Sequence, residues 1–226
     1  MKKLITLLFV SVMAVTTYAT HLMGGQIVAT NIGGYDYQIE LTAYRDTIGV
    51  PMGLVADFNV FKQDTSGGWI LLFTSSVNYD TTSGGLMPSV ITVYGVEVYT
   101  FIDTITMPGD GYYAISWDEC CRNGAIINMS NPLSESMKLS TFLTVDSLNP
   151  NSSPSYTTPP VAYLPAHTLW QYNPLPFDPD GDSLAWHLDV PLTVNGTVSG
   201  YEFLSDSAYS DSAAVFSLDS DRKSVV

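Results

Sequence analysis

Three aspartates in one short loop have the spacing of a cation site. Asp178, Asp180 and Asp182 alternate with Pro and Gly in the run DPDGD. Carboxylates at alternate positions of a loop can converge on Ca²⁺, which accepts irregular shells of oxygen ligands. The loop is no EF-hand, because Gly181 separates the second and third acids. The same composition is typical of a turn in which Asp side chains accept backbone N–H groups. Ca²⁺ binding and a plain turn are therefore both open hypotheses.

Two adjacent cysteines, Cys120 and Cys121, are the only cysteines of the chain. Consecutive side chains of an extended strand diverge, and a trans peptide holds their Cα atoms closer than an ordinary disulfide requires. The alternatives are a pair of buried thiols, which we favour, a vicinal disulfide, or cross-links to a partner outside the chain. Arg122 would lower the pKa of a Cys120 nucleophile, but no paired base is visible, so a structural role is favoured.

The three histidines give no catalytic pattern. His21 follows the N-terminal apolar segment, His167 lies in a Pro-flanked loop, and His187 lies next to Trp186 in a predicted strand, where we expect it to be a packing residue. None belongs to a metalloprotease, nucleophile-elbow or Cys–His motif. The sequence therefore predicts no enzyme activity for this chain.

The two ends of the chain do not belong to the predicted fold. Residues 1–19 combine a basic start, an apolar stretch and a small-x-small cleavage site, which predicts a secretory signal peptide. We interpret residues 221–226, DRKSVV, as a non-native tail of a gene fragment. The formal net charge is −14, which argues against binding nucleic acid or an anionic membrane surface. The sequence predicts an exported protein that has no membrane span in its mature form.

Short alternating runs between turn residues predict an all-β fold. The predicted strands cover 25–32, 35–46, 56–63, 69–74, 90–94, 96–107, 112–117, 125–129 and 137–145. The runs at 112–117 and 125–129 are expected to form a hairpin that bends at the cysteine pair. Residues 20–148 should therefore form an antiparallel, immunoglobulin-like β-sandwich.

The composition changes after the predicted sandwich. Residues 149–160, NPNSSPSYTTPP, are rich in Pro, Ser, Thr and Asn, which predicts an extended linker. Residues 161–220 should begin a second, partial β module, with a strand over 183–188 after the DPDGD loop. Four tryptophans and many tyrosines are available for glycan stacking, although most of them are expected in the core.

Four motifs in this order resemble one family. The run at 21–25 (HLMGG), the YRD at 44–46, the CCRNG at 120–124 and the DPDGDSL at 178–184 are similar to the N-terminal region of large secreted Bacteroidetes surface proteins. Those proteins carry PKD-like or other immunoglobulin-like modules and end in a gliding-motility-associated or type IX secretion sorting domain. The resemblance implies immunoglobulin-like or cadherin-like modules here. It also implies partner cysteines near positions that hold Thr47 and Leu164 in this chain.

The same resemblance bears on modification. Asp-Ser and Asp-Thr pairs followed by an apolar residue or Thr resemble the O-glycosylation acceptor pattern of exported Bacteroidetes proteins, although an Asp-rich and Ser/Thr-rich composition produces such pairs by itself. The candidate acceptor hydroxyls are those of Thr47, Thr81, Thr104, Ser147, Ser183, Ser207 and Ser212.

The predicted function is that of a secreted or cell-surface, non-catalytic structural or adhesion module at the N-terminus of a larger protein. Ca²⁺ is the only cofactor that the sequence suggests, through the DPDGD loop. The expected partners are other surface proteins or glycans. The alternative is a carbohydrate-binding region attached to an enzyme domain that lies beyond this fragment.

Overall fold

The computed structural model describes residues 21–79, 89–91, 95–160, 172–203, 218–219 and 224–225. The predicted signal peptide lies outside the described residues. The strands, in chain order, are β1 Leu22–Gly33, β2 Asp36–Asp46, β3 Val55–Gln63, β4 Trp69–Asn78, β5 Ser89–Ile91, β6 Val96–Thr106, β7 Gly111–Glu119, β8 Met137–Val145, β9 Ser155–Tyr156, β10 Pro176–Phe177, β11 Leu192–Thr193, β12 Gly196–Thr197, β13 Leu218–Asp219 and β14 Ser224–Val225. One 3₁₀ turn covers Pro132–Ser134. No helix within these ranges is both long and apolar enough to cross a membrane.

Two antiparallel sheets form the body of the protein. One has the strand order β1-β2-β6-β5 and the other has the order β12-β11-β8-β7-β3-β4. Their inner faces enclose one core of aliphatic and aromatic side chains, in which Trp117, Tyr37, Phe58 and Phe101 are almost fully buried. The prediction of an all-β, sandwich-like fold is therefore confirmed.

The predicted hairpin across the cysteine pair is wrong. Strand β7 pairs with β3 on one side and with β8 on the other, so both of its backbone edges are already taken. Residues 125–129 form no strand. They begin with a turn in which Ala125 N–H donates to the Asn123 side chain at 2.8 Å and Ile126 N–H donates to the Asn123 carbonyl at 3.3 Å. The apolar run is a connection that returns the chain to β8.

The predicted strand over 183–188 is also wrong, because those residues make no ladder with any described strand. Trp186 packs instead against Tyr156, with 5.2 Å between ring centroids. Further along, β11 pairs with β8 through Leu192 and Lys138, so a part of the predicted second module extends the six-stranded sheet. The division into two modules stays a prediction.

A buried arginine holds the end of β2. The Arg45 side chain is almost completely buried, and its guanidinium forms an ion pair with Glu97 on β6. The same group donates to the carbonyl of Val50 at 2.7 Å and to the carbonyl of Gly49. A buried cation needs such partners, because removing it from water is costly. The arginine of the YRD motif is therefore a structural clamp on the loop that follows β2.

The predicted linker closes the open edge of β1. Ser153 N–H donates to the Ala29 carbonyl at 2.8 Å, and the Ser153 hydroxyl accepts the Ala29 N–H at 2.8 Å. The Ser152 hydroxyl accepts the Asn31 N–H at 3.1 Å. Both serines are buried. Part of the segment expected to be a free linker thus serves as a cap along an edge strand.

A side-chain amide extends this seam towards the start of β1. The amide of Gln26 donates to the Tyr156 carbonyl at 3.1 Å and accepts the Tyr156 N–H at 2.9 Å. This pair of bonds replaces the backbone pairing that a neighbouring strand would provide. The two serines satisfy backbone groups of β1 at Ala29 and Asn31, and Gln26 satisfies both backbone groups of Tyr156 in β9.

We predict that Ser153→Ala lowers the free energy of unfolding by about 1–3 kcal/mol, because the buried Ala29 N–H loses its acceptor. Ser183→Ala is the matched control, since Ser183 is exposed. Urea unfolding followed by tryptophan fluorescence measures both variants. Equal stabilities of the two variants would contradict the role of this seam.

Candidate functional site

Three of the sequence motifs meet at one place in the structure. Leu22 N–H donates to the Cys121 carbonyl at 3.0 Å, and Asn123 N–H donates to the Leu22 carbonyl at 3.1 Å. The Asn123 side chain donates to the Asp46 carboxylate at 3.1 Å, while Asp46 N–H donates to the His21 carbonyl at 3.1 Å. The HLMGG, YRD and CCRNG motifs therefore form one joint. Its hydrogen bonds hold three distant segments of the chain together.

The cysteine pair forms a vicinal disulfide in the structure, across a cis peptide bond. The two buried thiols that we favoured from the sequence are not observed, and the disulfide was the less favoured alternative. Cys120 is exposed, whereas Cys121 is buried. Burial raises the pKa of the neighbouring Glu119 carboxyl, although a hydrogen bond from Cys120 N–H opposes the shift and the nearby Asp118 and Asp57 add to it.

Arg122 beside this pair is engaged with the main chain. Its guanidinium donates to the Ser136 carbonyl at 3.2 Å and to the Leu192 carbonyl at 2.7 Å. Burial lowers the pKa of the Arg122 guanidinium, while the charge of Glu135 opposes this shift. Because its donors tie β11 to the segment before β8, Arg122 is placed to hold the sheet together.

The DPDGD loop forms a hydrogen-bonded turn. One carboxylate oxygen of Asp178 accepts the N–H of Asp180 at 2.9 Å and the N–H of Asp182 at 3.2 Å. The Asp180 carboxylate points to another partner and accepts the Ser152 N–H at 2.5 Å. The structure therefore does not bring the three carboxylates together, and it connects the loop to the seam along β1.

Other candidate ligands and modification sites are scattered. No group of three or more His, Cys, Asp and Glu residues could hold a metal ion within the described ranges. His187 is exposed rather than packed inside a strand, and His167 lies outside the described residues. Of the candidate acceptor hydroxyls, four belong to exposed residues, namely Thr47, Thr104, Ser147 and Ser183. Thr81, Ser207 and Ser212 lie outside the described residues.

An aromatic cleft lies beside the start of β1. Its volume is about 420 Å³, which is within the usual range for small-ligand sites. The lining residues are Met23, Gly24, Gly25, Gln26, Tyr44, Tyr156, Thr158, Pro160, Tyr172, Pro174, Trp186, His187 and Leu188. Burial raises the phenol pKa of Tyr44, Tyr156 and Tyr172, and the Tyr172 hydroxyl donates to the Thr158 carbonyl at 3.0 Å.

A second aromatic group is exposed on the outer face of the six-stranded sheet. The Trp69 ring lies 5.5 Å from Tyr112 and 5.7 Å from Phe142, measured between centroids. Tyr112 and Phe142 are nearly parallel at 6.2 Å. All three side chains are at least 40% exposed. Outer faces of antiparallel sheets are usually polar, so this cluster, which we call the aromatic face, is unusual.

Strand β4 continues the aromatic face to the edge of the sheet. Its first half, residues 69–73, consists of five consecutive apolar residues, all of them exposed. Its second half is polar, apart from Val77, and lies over the other sheet, where the Ser75 hydroxyl bonds the Asp103 carboxylate at 2.5 Å. The sequence predicts a strand over residues 69–74, without a special surface. The signal for an unusual surface was the unbroken apolar run, because a half-buried strand should alternate.

Comparison of the chain with models of known protein families, with characterised proteins and with solved structures finds no match. The resemblance to secreted Bacteroidetes surface proteins therefore stays a prediction from the motifs.

The turn hypothesis for the DPDGD loop gives a specific expectation. Asp178→Ala should lower the free energy of unfolding by roughly 0.5–1.5 kcal/mol in EDTA, because two backbone N–H groups lose their acceptor. Asp182→Ala should be close to wild type, because the described hydrogen bonds do not use its carboxylate. Thermal unfolding with added Ca²⁺ tests the other hypothesis. A wild-type melting temperature that rises with Ca²⁺, and no longer rises in Asp182→Ala, would establish a calcium site.

Proposed function

We propose that this chain is an exported, non-catalytic adhesion module of a larger surface protein. The observation that carries the proposal is the aromatic face together with residues 69–73 of β4, an exposed apolar surface on a chain whose net charge is −14. Large exposed apolar patches on a soluble domain mark places where a partner binds.

The charged residues of the sequence motifs support a scaffold role. Arg45, Arg122 and Asp180 each use their charged groups on backbone atoms or in an ion pair. Such partners fix the geometry of loops and strand ends. Rigid presentation of a surface is what an adhesion module requires, because ordering a flexible surface would reduce its affinity.

The charge distribution favours a neutral partner. Cross-strand pairs at and beside the aromatic face join Trp69 to Gln63, Leu71 to Phe61, and Tyr112 to Thr144, and none of these residues is charged. The nearby charge is the Lys138 ammonium, 5.9 Å from the centroid of the Phe61 ring. The strongly acidic remainder of the chain repels polyanions. Other surface proteins and uncharged glycans are therefore the expected partners.

Adhesion can be measured directly with beads coated with the full chain, exported through its own predicted signal peptide. We expect flow-resistant attachment of the beads to at least one of three surfaces, coated with a neutral glycan such as mannan, with collagen or with the chain itself. Leu71→Lys should reduce attachment several-fold, because it places a charge in the apolar surface. Ile48→Lys, at a position 85% exposed and remote in sequence from β4, is the matched control. Absence of attachment to every surface would contradict the proposal.

A carbohydrate-binding region attached to an enzyme domain is the second candidate function. The cleft beside β1 favours it, because tilted aromatic rings at Tyr156 and Trp186 are combined with neutral phenol donors. Sugar rings have apolar C–H faces and hydroxyl edges, which such a site can match.

This second candidate predicts that the full chain binds a neutral soluble glycan such as xylan, mannan or a mixed-linkage glucan. Trp186→Ala should weaken binding by roughly fivefold, which corresponds to the loss of one aromatic contact. Affinity electrophoresis in glycan-containing gels measures the effect. Ile48→Ala, at an exposed position that does not line the cleft, serves as the control. If the wild-type chain is retarded by none of the three glycans, the second candidate fails.

A further inference from the structure

We propose that the Cys120–Cys121 disulfide is a redox switch that fixes one wall of the aromatic cleft, and that exchange with an external thiol releases this wall. The disulfide lies in the joint of the three motifs, and the first residues of β1 run from that joint into the lining of the cleft. The inference goes beyond the adhesive function and does not depend on it. It also holds whichever ligand the cleft binds.

The disulfide restrains the backbone of the cysteine pair. In an extended strand consecutive side chains point to opposite faces, so the sulfur atoms of neighbouring cysteines lie far apart. A bond between Cys120 and Cys121 therefore requires a bent backbone at these residues. Cutting the bond removes this requirement. Because β7 ends at Glu119, directly before the pair, the backbone of the reduced pair is free to continue in extended form.

The restrained backbone is bonded to the first residue of β1. Leu22 N–H donates to the Cys121 carbonyl at 3.0 Å, and the Leu22 carbonyl accepts the Asn123 N–H at 3.1 Å. Leu22 also forms an isolated parallel bridge with Arg122. The Leu22 side chain is fully buried in the core. The acceptor of the Leu22 N–H thus belongs to one of the two residues that the disulfide restrains, so a change at the pair moves the start of β1.

A bulge connects Leu22 to the cleft. The register of β1 against β2 shifts between Leu22, which lies opposite Arg45, and Gly24, which lies opposite Tyr44. Met23 has no partner in this register, and it lines the cleft. The extra residue of a bulge is left unpaired in the ladder. The position of Met23 therefore depends on the bonds of Leu22 before it, and loss of the bond to Cys121 changes the wall of the cleft.

One sulfur of the pair is open to solvent, because Cys120 is exposed whereas Cys121 is buried. An external thiolate that attacks Cys120 Sγ forms a mixed disulfide and breaks the bond to Cys121, whose sulfur leaves with the electron pair and takes up a proton. A second external thiolate attacks the external sulfur of the mixed disulfide, and Cys120 leaves as a thiolate that is then protonated. The cysteine pair gains two electrons and two protons, and the external thiols are oxidised to their own disulfide.

Charge near the exposed sulfur selects the thiol. Three carboxylates interact at this end of the sheet, namely those of Glu119, Asp118 and Asp57. Lys138 lies opposite Asp118 in the β7–β8 register and offsets part of this charge. The Arg122 guanidinium is bonded to two main-chain carbonyls. Since the whole chain carries −14, a thiol with an anionic group is repelled. The expected reductant is therefore a thiol without a negatively charged substituent.

Thiol labelling of the exported full chain tests the exchange reaction. Iodoacetamide followed by mass spectrometry should find no labelled cysteine before treatment with dithiothreitol and both cysteines labelled after it. Cysteamine and mercaptoethanesulfonate are thiols of similar size and opposite charge. At equal thiolate concentration cysteamine should reduce the pair several-fold faster, and added NaCl should lower this ratio, because salt screens the carboxylates. Glu119→Gln should also lower the ratio. Labelling of both cysteines without any reductant overturns the inference.

NMR of the oxidised and the reduced chain tests the connection to the cleft. Reduction should speed amide exchange at Leu22 by roughly tenfold, as expected when about one hydrogen bond is lost. The methyl resonance of Met23 should shift, whereas that of Met107, which is buried in the core, should not. The double variant Cys120→Ser, Cys121→Ser should resemble the reduced chain with and without dithiothreitol. Should this variant fail to fold, the two redox states of the wild type still give the comparison.

The outcomes are separate from those that test the proposed functions. Unchanged exchange at Leu22, or an unshifted Met23 resonance, in a fully reduced chain overturns the switch. Loss of the circular dichroism spectrum on reduction also overturns it, because the disulfide would then support the whole fold rather than one wall of the cleft. Bead attachment and glycan retention take no part in these measurements, so a failed switch leaves both functional candidates as they are.

Discussion

The closure of the β1 edge is the constraint on which the rest of the structure depends. A sheet edge exposes a row of backbone N–H and C=O groups that need partners. Along β1 those partners are two serine hydroxyls, the N–H of Ser153 and the carbonyl of Cys121. Every one of these groups comes from a segment distant in sequence. Closing this edge therefore fixes the position of the cysteine joint, the segment after β8 and the DPDGD loop.

The opposite situation at β4 gives the molecule its distinctive surface. Within the part of the chain that the structure describes, no strand pairs with the outer edge of β4, and the side chains on both faces of its first half are apolar. An exposed, uncharged edge strand of this kind pairs readily with another chain unless something covers it. The two sheets of the sandwich thus differ at their edges, because another segment covers β1 whereas no described strand pairs with the outer edge of β4.

Several residues whose types suggest a metal-binding or catalytic role in the sequence instead hold backbone groups in the fold. Asp178 accepts two backbone N–H groups, Asp180 accepts a third, and Arg122 donates to two carbonyls. A hydrogen bond between a charged side chain and the backbone is stronger than one made by a neutral side chain. Loops without regular ladders need such anchors, which explains why Asp, Arg and Asn concentrate at the joints of this fold.

The sequence by itself determined the strands whose faces alternate. In β2 and β7 the period of two places Tyr37 with Ile39, and Tyr113 with Trp117, on one face of the strand, because that period is a local property of the extended backbone, and all four are buried. Tertiary structure decided which strands pair, and for that reason residues 125–129 and 183–188 are not strands. It also decided that Trp69, Tyr112 and Phe142 meet, since these residues lie on three different strands. Contacts between distant segments depend on strand order and register, which local periodicity does not contain.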